Sequence, residues 1–63
     1  MYVFVGLTGR RSRQIISVCV NVVDKDDSTA VSRALQWVAD VSGISVVEIW
    51  NTATDKLICR LEV

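Results

Sequence analysis

From Gln14 to Val23 the chain carries no charged residue, and its even positions, Ile16, Val18, Val20 and Val22, are all apolar. The odd positions mix Ile15, Ser17, Cys19, Asn21 and Val23. A period of two with one clean face is the pattern of a β-strand covered on one side. A strand this long must pair its backbone with neighbours and bury its apolar face against another layer. The chain around it is therefore expected to supply both a sheet and a cover.

The segments on either side fit that demand. Tyr2 to Leu7 is apolar apart from Gly6 and reads as a short strand. Thr8-Gly9-Arg10-Arg11-Ser12-Arg13 reads as the hairpin loop joining it to the uncharged strand. Asp24-Lys25-Asp26-Asp27-Ser28 then breaks the alternation and marks a helix start, with Asp27 or Ser28 as the N-cap and acids at the positive end of the dipole. Val31, Ala34, Leu35, Val38 and Val41 recur at helical spacing, and Gly43 supplies the stop. Ile44 to Trp50 and Lys56 to Val63 are two further strands, joined by the turn-forming Asn51-Thr52-Ala53-Thr54-Asp55.

The expected fold is α+β, a two-layer β-β-α-β-β sandwich with one helix on one face of a four-stranded antiparallel sheet. A right-handed crossover makes the third strand parallel to the second, and placing the first between them gives the order 2-1-3-4. At 63 residues there is one domain, spanning 1–63, burying roughly 60% of the surface of its unfolded chain. With 51% apolar residues and a mean hydropathy of +0.39, more apolar surface is present than one small core can hide.

A face-by-face assignment locates that excess. Val3, Val5, Leu7, Val18, Val20, Val22, Val47, Ile49, Leu57, Cys59 and Leu61 are expected beneath Val31, Leu35 and Val38 of the helix. Tyr2, Phe4, Ile15, Cys19, Val46, Trp50 and Ile58 then fall on the opposite face, among Ser17, Glu48, Lys56 and Arg60. An apolar patch of that kind marks an interaction site. The second strand, at an edge without charge or Pro, invites pairing with another copy, which makes a homodimer through that strand or the outer face an expectation. Trp50, Tyr2, Phe4 and Ile58 are the candidate apolar anchors; Trp37, off the helical stripe, is a further candidate beside the simpler reading of it as a side chain folded over the core margin.

Catalytic chemistry finds little footing. There is no His, hence no ordinary nucleophile–imidazole pair and no imidazole metal ligand. Gly6 and Gly9 do not form a phosphate-cradling loop, and no cofactor is implied. Asp24, Asp26 and Asp27 could approach a hard cation but lack the remaining ligands of a calcium loop; helix-start electrostatics explains them more simply. Cys19 and Cys59 are assigned to opposite sheet faces and are expected as free thiols. Arg10, Arg11 and Arg13 are the one basic cluster, able to clamp phosphates or to stay solvated in a turn. Seven basic and seven acidic residues leave no global field drawing the chain to nucleic acid or membrane. No apolar run is long enough to span a bilayer, and the first residues lack the basic start and cleavage site of a signal peptide, so a cytoplasmic protein is expected.

Two resemblances bear on these expectations. Val47 to Leu61 resembles the last hairpin of a WD-repeat blade, with Trp50-Asn51 where that family has Trp-Asp; the likeness covers a quarter of the chain and implies a tight hairpin, because a blade has four strands with no helix between them. In size and element order the chain is similar to small phage proteins that bind and inhibit host enzymes. Together with the apolar patch, the expectation is a non-catalytic protein-binding module, an inhibitor or adaptor that occupies a partner's surface. A nucleic-acid-binding module using the Arg loop and a self-assembling structural unit are the alternatives.

Overall fold

A computed structural model describes residues 1–9 and 13–63. Four strands and one helix follow in the order β1 (Tyr2–Thr8), β2 (Ile15–Val22), α1 (Asp27–Ala39), β3 (Val46–Asn51) and β4 (Lys56–Glu62). The strands form one sheet in the order β2-β1-β3-β4, every neighbouring pair antiparallel. The α+β class, the element order and the strand order all match the expectation from sequence. The central position falls to β1, whose residues are apolar in both directions, while β2 and β4 form the edges.

The faces differ from the expectation, and the difference begins on β1. Val20, Phe4, Ile49 and Cys59 lie in register across the sheet on the helix side, and so do Val18, Gly6, Val47 and Leu61. Tyr2 and Phe4, expected outside, are core residues only 4% and 1% exposed, packed with Ala30, Ala34 and Ile49. Val3, Val5 and Leu7 take the opposite face. A run apolar at every position carries no polar marker to say which parity turns inward. Size complementarity decides it instead: the two aromatic rings fit beneath a helix whose facing residues are Ala, and close packing rewards that pairing.

The helix is rotated accordingly. Its buried residues are Ala30, Ala34 and Val38, whereas Leu35, expected inside, is 47% exposed. Trp37 packs against both parts of the core and tilts onto Phe4, ring centroids 5.8 Å apart. It sits partly buried at the core margin, the simpler of its two expected readings. The N-cap is Asp26, one residue before the expected Asp27 or Ser28; its Oδ1 accepts from the Thr29 amide at 2.8 Å. Asp27 instead accepts the Tyr2 hydroxyl at 2.7 Å and the Asn51 side-chain amide at 3.3 Å, tying the helix start to the sheet.

Irregularities in two ladders complete the corrections. In β3–β4, Ile49 faces Cys59 but Trp50 faces Leu57, so Ile58 is the extra residue of a bulge and packs on the helix-side core. Leu57, expected inside, is thereby turned outward. In β1–β2, Gly6 faces Val18 but Leu7 faces Ile16, which passes over Ser17 and ends the clean even face of β2 at Val18. The helix side closes tightly there: a Cβ on Gly6 would lie 2.2 Å from Ile44 Cδ1.

Candidate protein interface

The sheet face turned away from α1 carries two rows of residues in register. The first is Asn21, Val3, Trp50 and Leu57; the second is Cys19, Val5, Glu48 and Arg60. Each row crosses all four strands, because in-register antiparallel neighbours point to the same side. Val3, Val5 and Trp50 are half-buried and Leu57 is exposed, so the first row is an apolar ridge with Trp50 near its middle.

The polar members of this face are tied to one another. The Trp50 indole N–H donates to Glu48 Oε1 at 3.2 Å, and Arg60 Nε lies 3.4 Å from Glu48 Oε2. Arg60 also donates to the Gln14 side chain, a bond joining β4 to the residue just before β2. That crossing accords with the burial of Leu7 and Val46 at the same end of the outer face. The network satisfies the indole N–H, leaving the ring itself as the contact surface, the amphipathic use that suits Trp to interfaces.

The residues singled out from sequence therefore separate. Trp50 stands on the outer face as expected, with Cys19, Glu48 and Arg60. Ile15, expected on the outer face, faces Thr8 on the helix side because the irregularity at Ser17 reverses the parity of the residues before it, and it is exposed there at the start of β2. Val46 belongs to the outer face by register but is only 2% exposed and offers no surface to a partner. Tyr2, Phe4, Trp37 and Ile58 serve the core. Val3, Val5 and Leu57 are the outer-face residues that parity misassigned. Arg13 is exposed, while Arg10 and Arg11 lie outside the described residues.

β2 makes the other unusual surface. It is an edge strand without a charged residue, while the opposite edge, β4, carries Lys56, Arg60 and Glu62; each edge strand holds one ladder irregularity. Ile16 at its start is 66% exposed, and Val23 just past its end is more so.

The acidic cluster is accounted for within the fold. Asp24 accepts from Arg33 at 2.8 Å, which holds its carboxyl below the usual range. Asp26 is lowered by the Thr29 amide it caps. The Tyr2 hydroxyl, donating to Asp27, is pushed up to about 12. Among the described residues no His, Cys, Asp or Glu group gathers to hold a metal ion, and they enclose no pocket. Both cysteines are free. Among the described residues no helix is long and apolar enough to cross a membrane. Comparison with protein-family models, with curated proteins and with solved structures finds no match to this chain.

Proposed function

We propose that the protein is a small non-catalytic binding module, an inhibitor or adaptor that acts by covering a surface of another protein. The observation that carries this reading is the apolar ridge of Val3, Trp50 and Leu57 on the sheet face that the helix leaves open. Antiparallel sheets commonly present polar residues on such a face, and contiguous apolar surface marks an interaction site. Trp50 is the anchor: a large ring whose polar atom is already satisfied gains by desolvation and loses little on leaving water. The uncharged β2 edge belongs to the same binding surface and gives the module a homodimeric form.

The test is capture of protein from a nuclease-treated lysate by the immobilised chain. A bound protein should be retained at high salt, and Trp50→Ala should weaken its binding at least about 30-fold, the loss of a hot spot of about 2 kcal/mol. Retention of nucleic acid before nuclease treatment, lost steeply with salt and with Arg13→Ala, would instead establish the phosphate-binding alternative.

A further inference from the structure

Resting on the reading of β2 as part of a binding surface, we propose that its occupant is a second copy of this chain, paired antiparallel across β2 about a two-fold axis at Val20. The regular part of β2 lies clear of the bulge at Ser17 and reads Val18-Cys19-Val20-Asn21-Val22. Val18, Val20 and Val22 alternate with the exposed Cys19 and Asn21, so the placement of the valines is the same in both directions. A strand with that symmetry is its own complement under a two-fold rotation.

The pleat narrows the register. Directly opposed residues point to one face, so helix-side residues must meet helix-side residues. About Val20, Val18 meets Val22, Val20 meets Val20, and Cys19 meets Asn21, all within the regular run. A centre at Cys19 would set Val22 against Ile16, which the bulge has turned to the other face. Val18, Val20 and Val22 are half-buried at the open margin of the core, and the second copy would cover that margin. With no charge on the strand, self-pairing brings no like charges together. β4 lacks this property, since Lys56, Arg60 and Glu62 interrupt it. The result is a continuous eight-stranded sheet, ordered 4-3-1-2-2-1-3-4, with both helices on one side.

The experiment is sedimentation equilibrium of the full chain and charge-swapped variants, with circular dichroism to verify folding. Cys19 and Asn21 are exposed, so substitutions there spare the core. The wild-type chain should be a dimer. Cys19→Lys with Asn21→Lys sets Lys opposite Lys on both sides of the axis and should weaken the dimer about tenfold or more. Cys19→Lys with Asn21→Glu sets Lys opposite Glu twice and should restore it. A wild-type monomer at millimolar concentration overturns the proposal, as does a Lys/Glu variant weakened as much as the Lys/Lys one. A dimer indifferent to both variants but lost in Trp50→Ala also overturns it, while leaving the outer-face reading intact.

Discussion

At the scale of the residue, several side chains hold the structure by means that hydropathy does not display. Gly6 sits where Ile44 Cδ1 would be 2.2 Å from any added Cβ. Gly6→Ala should destabilise the fold by about 1–3 kcal/mol through overpacking, and Ile44→Val in the same chain should recover part of that loss. Urea denaturation of the two variants measures both effects. Asp55 holds φ at 56°, in the left-handed region, at the end of the β3–β4 turn. Asp55→Gly removes that strain and should stabilise by a few tenths to about 1 kcal/mol, again read from the urea midpoint.

Titration at the helix start gives a further residue-scale prediction. The Tyr2 phenol is raised because its proton is donated to Asp27, with burial next. Its contribution is complete below the unfolded phenol value near 10 and is lost as pH rises through about 12. Stability should fall across that window, and Tyr2→Phe should remove that part of the fall. Asp24 and Asp26 act in the opposite direction: their carboxyls are lowered by Arg33 and by the Thr29 amide. Their contribution is present above the ordinary carboxylate range and is lost as pH falls through the folded values. Asp26→Ala should flatten the acid limb of a thermal stability profile, and Asp24→Asn should do likewise.

At the scale of the element, the residues with clear polar punctuation were legible and those without it were not. β2 and the helix start announce themselves through alternation and the Asp24–Asp27 cluster. The helix, however, ends at Ala39 with Asp40 as its C-cap, so Val41 lies outside it and Gly43, expected as the stop, takes its positive φ of 83° in the turn that follows. Strand order followed from chain connectivity and from the absence of charge on β1. The face of β1 could not be read, because Tyr2 to Leu7 is apolar on both sides and pairing large rings with Ala30 and Ala34 is a tertiary choice. The alternation of β4 was read correctly at Cys59 and Leu61, but an extra residue in the ladder reverses Ile58 and Leu57. Gly6, aligned with Tyr2 and Phe4, was the available signal: a glycine in a strand marks close approach of another group, here Ile44. The Asn51-to-Asp55 hairpin kept its predicted position, and Asn51 explains why, since its side chain accepts from the Ala53 amide at 2.9 Å.

At the scale of the whole molecule, the apolar excess of the composition divides between core and surface differently from the expectation. The aromatic rings of Tyr2 and Phe4 are spent on the core, so the outer face is smaller and more aliphatic, with Trp50 its one aromatic among the described residues. This sharpens the account: an interface centred on Trp50 must use Val3, Val5 and Leu57 around it. Leu35, on the solvent side of the helix, is an exposed apolar residue far from that ridge and serves as its control. The most direct measurement is the affinity of the captured partner for three immobilised chains: wild type, Trp50→Ala and Leu35→Ala. The account predicts that Trp50→Ala loses at least about 30-fold while Leu35→Ala binds as the wild type does. Loss in Leu35→Ala with full binding by Trp50→Ala would place the interface on the helix and contradict it.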